Sequence, residues 1–172
     1  MKLNCVIVDD SSIQRMIVGK LVSNHINLNL VGEFSNAIEA KNFMSYNSID
    51  LLFLDVEMPI VSGFDLLDGL KNKPQVIFIT SKPEYAVKAF DYDATDYLQK
   101  PITTARFESA IKRAINLYQM QKESGEEDGE EAAAEVQLHG LDVVQAGLGN
   151  EHVDAIGLEG RLAVGVLGAV VG

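Results

Sequence analysis

Over its first two thirds the chain alternates short apolar runs with longer stretches whose apolar residues recur at helical spacing. Leu3–Val8 is a compact apolar run containing Val and Ile, and reads as a buried strand. Ser11 and Ser12 can cap a helix in which Ile13, Met16, Ile17 and Leu21 recur at helical spacing. Asn29–Phe34 predicts a second strand and Ala37–Met44 part of a second helix. Asp50–Leu54 predicts a third strand, ended by the carboxylate of Asp55, and Phe64–Leu70 a third helix. Gln75–Ile79, rich in β-branched residues, predicts a fourth strand ended by Thr80. Glu84–Phe90 predicts a fourth helix and Asp96–Leu98 a short fifth strand. Thr103–Tyr118 predicts a fifth helix with Phe107, Ile111, Ala114, Ile115 and Tyr118 on its inner side.

Five strand–helix units in alternation, with strands apolar on both sides, call for helices on both faces of a parallel sheet. Right-handed crossovers leave few topologies. The order 2-1-3-4-5 is one of the two common doubly wound solutions, and it places the crevice at the carboxyl ends of strands one and three. The expected fold is therefore α/β, a doubly wound five-stranded parallel sheet of flavodoxin-like type.

Composition changes after Gln121. Residues 1–125 carry 13 Lys/Arg against 15 Asp/Glu, a net charge of −2, whereas residues 126–172 carry Arg161 against ten acids, a net of −9. The total of −11 thus belongs mainly to the end of the chain. All twelve Phe and Tyr residues lie within the first 121. These shifts predict a domain over 1–121 and a solvated acidic linker over 122–131. A tail rich in Ala, Gly and Val follows over 132–172, disordered or foreign to the domain. The acidic balance argues against direct nucleic-acid binding. The longest apolar stretch, Leu162–Val171, is too short and glycine-rich to span a bilayer. The Asp pair at 9–10 interrupts any signal-peptide core. The expectation is a soluble, cytoplasmic protein without membrane contact.

The acids fall at strand ends. Asp9 and Asp10 follow the first strand and Asp55 the third, and in a 2-1-3-4-5 sheet those strands are neighbours. Three clustered carboxylates repel one another unless a cation is present. An all-oxygen set with room for water suits Mg2+ and leaves positions for a phosphoryl oxygen. Thr80 at the end of strand four offers a hydroxyl, and Lys100 after strand five a positive charge for phosphate oxygens. Phosphoryl transfer asks mainly for position and charge neutralisation, and an ionised Asp55 is competent as the nucleophile.

At these residues the chain resembles a response-regulator receiver domain, of CheY-like (βα)5 type. The segments that carry the resemblance are VIVDDSS (6–12), LLFLDVEMPIVSGFDLL (51–67), VIFITS (76–81) and DYLQKPI (96–102). It covers about residues 3–120 and is specific, because separated segments agree in order and spacing. The resemblance implies Asp55 as phosphoacceptor, Asp10 as direct metal ligand and Asp9 acting through water. It further implies a metal contact from the Glu57 backbone carbonyl, Thr80 and Tyr97 as switch residues, Lys100 as the motif lysine, and a cis Lys100–Pro101 bond. The partner it implies is a sensor histidine kinase or phosphotransfer protein. It also implies a phosphorylation-dependent homodimer through α4-β5-α5, across which Lys88, Asp91, Asp93, Asp96 and Lys112 pair. The stretch YAVKAFDYDATDYLQKPI (85–102) is similar to receivers that precede LytTR-type DNA-binding domains. Such a domain needs on the order of 100 residues, and about fifty remain here.

Taken singly, each residue has a plainer role: Asp as a cap or turn former, Thr80 as a strand residue, Lys100 in solvent, Tyr97 as an edge aromatic. Cys5 reads as inert core, and His25, His139 and His152 lack the spacing of a zinc site. Two rival functions are a Mg2+-dependent phosphohydrolase with Asp55 as nucleophile and an interaction module that never accepts phosphate. The first would need an acid/base and a specificity cap; the second would lack an acid or the lysine.

Overall fold

The computed structural model describes residues 1–125. Residues 126–172, and with them most of the predicted linker and the whole predicted tail, lie outside the described residues. The elements run β1 (Leu3–Val8), α1 (Ser12–Asn24), β2 (Leu28–Phe34), α2 (Ala37–Tyr46), β3 (Leu51–Leu54), α3 (Gly63–Asp68) and β4 (Gln75–Thr80). A single 3-10 turn (Pro83–Tyr85), α4 (Ala86–Asp91), β5 (Asp96–Gln99) and α5 (104–125) complete them. Every strand pair is parallel, and the order is β2-β1-β3-β4-β5, as the apolar strands predict.

The strands divide their side chains between two cores with the two-residue period of a pleated sheet. Leu3, Cys5 and Ile7 of β1, Leu51 and Phe53 of β3, and Ile77 and Ile79 of β4 face one layer. There they meet Val18 and Val22 of α1 and Phe107, Ala110, Ile111 and Ala114 of α5. Val6, Val8, Leu52, Leu54, Val76 and Phe78 face the other, against Ala37 and Ala40 of α2, Phe64, Leu66 and Leu67 of α3, and Ala89 of α4. Phe53 stacks on Phe107 with ring centroids 5.7 Å apart. Both sheet faces are covered, so the strands can be apolar throughout.

Three expectations are corrected. Of the spaced residues on α1, Leu21 packs partly buried against the core but Ile13, Met16 and Ile17 lie exposed, and Val18, Gly19 and Val22 pack inward instead. This helix is apolar on two sides, and the sheet takes the side carrying the β-branched i, i+4 pair. The fourth helix does not begin at Glu84: Pro83 starts a 3-10 turn, and α-helical geometry begins only at Ala86. The fifth helix continues through residue 125, so the linker predicted from Lys122 opens as helix. Lys, Gln and Glu are good helix formers, and an acidic solvated surface is compatible with helix as well as coil.

Candidate functional site

The strand register sets the site. Val8 is paired with Leu54 across β1 and β3, so the residues that follow, Asp9 and Asp55, emerge side by side at the carboxyl edge. The Asp9 N–H donates to the Phe34 carbonyl at 3.1 Å and the Asp55 N–H to the Val8 carbonyl at 2.9 Å, which fixes both backbones. On the far side, Thr80 pairs with Gln99, and the Lys100 N–H donates to the Thr80 carbonyl at 2.9 Å. The Lys100–Pro101 bond that follows is cis.

These elements bring one carboxylate oxygen each of Asp9, Asp10 and Asp55 within 4.8 Å of one another. Asp9 and Asp55 are buried and Asp10 is exposed. Lys100 Nζ donates to Asp9 Oδ2 at 2.8 Å and stands 3.6 Å from Asp55 Oδ2. Asp9 Oδ1 accepts the Ser11 N–H at 2.8 Å, and the Arg15 guanidinium donates to the Asp9 carbonyl at 2.7 Å. Both oxygens of Asp9 are therefore engaged within the protein. Asp55 Oδ1 accepts a long bond, 3.4 Å, from the Glu57 N–H.

Three carboxylates against one ammonium leave the centre short of positive charge. Burial pushes the Asp55 carboxyl up to about 6, and the Asp9 charge pushes the same way. Lys100 and the Glu57 N–H oppose this, and the Asp10 charge adds a smaller upward push. A divalent cation would relieve all three acids at once, and the all-oxygen donor set suits a hard ion such as Mg2+.

The loop after Asp55 is closed tightly. The Gly63 N–H donates to the Val56 carbonyl at 3.0 Å, and a Cβ on Gly63 would sit 2.4 Å from the Asp55 carbonyl oxygen. Ser62 caps α3 through a reciprocal box with Asp65, its Oγ accepting the Asp65 N–H at 3.2 Å while Asp65 Oδ2 accepts the Ser62 N–H at 3.0 Å.

The other sequence-predicted residues stand around this centre. Thr80 is fully buried at its side chain, and its Oγ1 accepts the Lys82 N–H at 3.3 Å. The Glu57 carboxylate turns away from the acids to Lys82, with Oε1 2.6 Å from Nζ. The Tyr97 hydroxyl donates to the Lys82 carbonyl. Asp96, expected to pair across a dimer, has ion-pair partners within the chain. Its carboxylate is nearly buried and lies 3.1 Å from both Arg106 and Arg113. Lys88 lies over the Phe64 ring, 4.4 Å from its centroid. Sequence reasoning missed Arg15, Gly63 and Lys82. The Ser–Gly pair at 62–63, with Asp65 three residues after Ser62, carried the signature of the capping box. Nothing local marks Lys82, whose partners Glu57 and Tyr97 come from two other segments. Among the described residues, no helix is long and apolar enough to cross a membrane.

The model of the response regulator receiver domain matches residues 5–112. The chain is 39% identical over 113 residues to an uncharacterized response regulatory protein of Shewanella oneidensis, covering 64% of this chain and 48% of that protein. It is 37% identical over 113 residues to the transcriptional regulatory protein BtsR of Escherichia coli, covering 64% and 47%. This chain thus spans about half the length of the curated relatives it matches. Among solved structures, the response regulatory domain of MrkE from Klebsiella pneumoniae matches with a TM-score of 0.64 at 27% identity, covering 69% of this chain and 99% of that one. The receiver of AraT from Geobacillus stearothermophilus matches with a TM-score of 0.62 at 31% identity, covering 70% and 99%.

Proposed function

This chain belongs to the response regulator receiver family of two-component systems, and from that premise we propose that it accepts a phosphoryl group on Asp55 from a histidine kinase or phosphotransfer protein. The observation that carries the reading is the Lys100 ammonium set against both buried acids, 2.8 Å from Asp9 and 3.6 Å from Asp55, beside the exposed Asp10. An Asp55 oxygen forms the new bond to phosphorus as the phosphorus–nitrogen bond of a donor phosphohistidine breaks, and the departing imidazole takes up a proton.

Asp10, Asp55 and the Glu57 backbone carbonyl would hold Mg2+, with Asp9 acting through water. Asp9 suits the indirect role because Ser11 and Lys100 already occupy its two oxygens. When bound, the ion supplies charge neutralisation for the transferring phosphoryl oxygens. Lys100 remains beside the acceptor as a fixed positive charge, and burial of Asp55 limits competition from water. Added charge on Asp55 draws in Thr80 and Lys100, and the movement of Thr80 frees space for Tyr97 to rotate inward. The surface of α4, β5 and α5 changes with it, and a homodimer forms there. Lys88, Asp91, Asp93, Asp96 and Lys112 would pair across that face, where Asp96 also holds α5 to β5 through Arg106 and Arg113. Such a switch works in the cytoplasm. The receiver is of the kind that precedes LytTR-type DNA-binding domains, and we assign no direct nucleic-acid binding to this chain.

The test is intact mass after incubation with acetyl phosphate and Mg2+. The unaltered chain is expected to gain one phosphoryl group, with none gained by Asp55→Asn or in the presence of EDTA. Equal incorporation by Asp55→Asn refutes the assignment.

A further inference from the structure

Of the three clustered acids, Asp10 is the one that no side-chain bond aims. Asp9 has both oxygens engaged, by the Ser11 N–H and by Lys100, each at 2.8 Å. Asp55 has Lys100 3.6 Å away and the Glu57 N–H on its Oδ1. Among the described residues, the exposed carboxylate of Asp10 makes no hydrogen bond or ion pair. One of its oxygens nonetheless lies within 4.8 Å of an oxygen of each other acid. Its direction is therefore set by its backbone. That backbone starts at the Asp9–Asp10 peptide, whose carbonyl accepts the Arg15 guanidinium at 2.7 Å. Arg15 is the fourth residue of α1, and its own N–H donates to the Ser11 carbonyl at 3.0 Å. One residue thus ties down both neighbours of Asp10.

We propose that Arg15 is a positioning residue, which clamps the Asp9–Asp10 peptide and thereby aims the Asp10 carboxylate at the cation site. This rests on the reading of Asp10 and Asp55 as ligands of Mg2+. The bond to the Asp9 carbonyl is short and charge-assisted, the stronger kind. A cation so near the start of α1 gains nothing from the helix dipole, and the side chain is half-buried over the loop rather than extended into solvent. A ligand on a fixed backbone has less freedom to lose when the ion binds. Residues that orient a metal ligand from behind are worth about tenfold to a hundredfold in affinity. The charge of Arg15 acts the other way: a guanidinium beside the acids repels a dication, so its loss would by charge alone tighten Mg2+ binding. Positioning and charge therefore predict opposite signs.

The test titrates Mg2+ alone into the full chain, followed by amide NMR spectra, for the unaltered protein, Arg15→Met and Arg15→Lys. Spectra without Mg2+ report whether each variant is folded. Positioning predicts that Arg15→Met binds Mg2+ about tenfold more weakly. Arg15→Lys should recover most of that loss, because a single guanidinium nitrogen makes the contact and an ammonium can replace it. Where Arg15→Met does not fold, Arg15→Gln, equally uncharged and a milder change, carries the same expectation of weaker binding. Equal or tighter binding by the folded uncharged variant overturns the positioning role alone, as does Arg15→Lys binding as weakly as Arg15→Met. Absence of Mg2+ binding by the unaltered chain overturns the reading of the acids as a metal site, and the role of Arg15 with it.

Discussion

Removing the charge of the proposed acceptor should make the metal-free protein more stable, although the same substitution should abolish the proposed phosphoryl transfer. Asp55 is 5% exposed, and its carboxyl is displaced from an ordinary value of 3.8 to about 6 by burial, Asp9 and Asp10, against the opposing pull of Lys100 and the Glu57 N–H. At about 1.4 kcal/mol for each pH unit, ionising Asp55 in the folded state costs about 3 kcal/mol more than in the unfolded chain. The folded protein binds the extra proton between these two values, so stability falls as pH rises from about 4 to about 6 and then levels off. Asp55→Asn keeps the shape, and its side-chain oxygen can still accept the Glu57 N–H. In EDTA at about pH 7.5 the variant should therefore gain up to about 3 kcal/mol, shrinking to about 1 kcal/mol at pH 4.5 and to nothing below the unfolded value.

Urea melts of both proteins across this pH range, with and without Mg2+, measure the effect. Mg2+ should stabilise the unaltered chain by mass action and leave the variant nearly unmoved, so the gap narrows as the ion is added. A gain independent of pH, or a variant less stable than the unaltered chain in EDTA at neutral pH, refutes the reasoning. Either result would mean that Asp55 is not held ionised against its surroundings.

Lys100→Met leaves Asp9 and Asp55 without the ammonium that now stands 2.8 Å and 3.6 Å from them. It should cost about 3 kcal/mol in metal-free buffer at neutral pH, the scale for breaking a buried pair, and less in acid; a urea melt showing under about 1 kcal/mol would show that the lysine is not compensating those charges. Gly63→Ala places a methyl group 2.4 Å from the Asp55 carbonyl oxygen. Because that neighbour is backbone, the loop must shift. The loss should exceed about 2 kcal/mol, with weakened Mg2+ binding by calorimetry. Native stability and unchanged affinity would show the loop to be slack.

The sheet and its acid edge were legible because they depend on local signals that agree. The central strands β1, β3 and β4 are mainly apolar runs, Asp9 and Asp55 follow strands directly, and parallel order fixes which strand ends are neighbours. Where the sequence misled, two local patterns competed. On α1, Ile13, Met16 and Ile17 satisfy helical spacing as well as Val18 and Val22 do, and only packing against β1 and β2 decides which side is buried. At α4, the helical pattern from Glu84 ignored the φ restriction of Pro83, which sets a tighter turn first. The ion pairs of Asp96 within the chain were missed for a different reason. Its partners, Arg106 and Arg113, come from α5, and spacing along the chain says nothing of which charges meet once β5 and α5 are packed. Lys82 was invisible on the same ground.

The least anchored described helix lies where the acid site can reach it most directly. The α-helical part of α4 is six residues long; Ala89 is buried, while Val87 and Phe90 stand in solvent. So short a helix has little stability of its own, and its flanks must hold it. Both flanking tyrosines do so through one ring: Tyr85 and Tyr92 meet Phe64, with centroids 6.0 Å and 5.0 Å away. Phe64 is the second residue of α3, next to the Gly63 that closes the loop on Asp55. The β3–α3 loop and α4 are thus joined twice, by an aromatic cluster beneath and by the Glu57–Lys82 pair above. By contrast, α1 and α5 each bury several side chains in the opposite core. A change of charge at Asp55 that disturbs this loop has an easier path to α4 than to either of those helices, because α4 has the fewest buried contacts of its own to resist displacement.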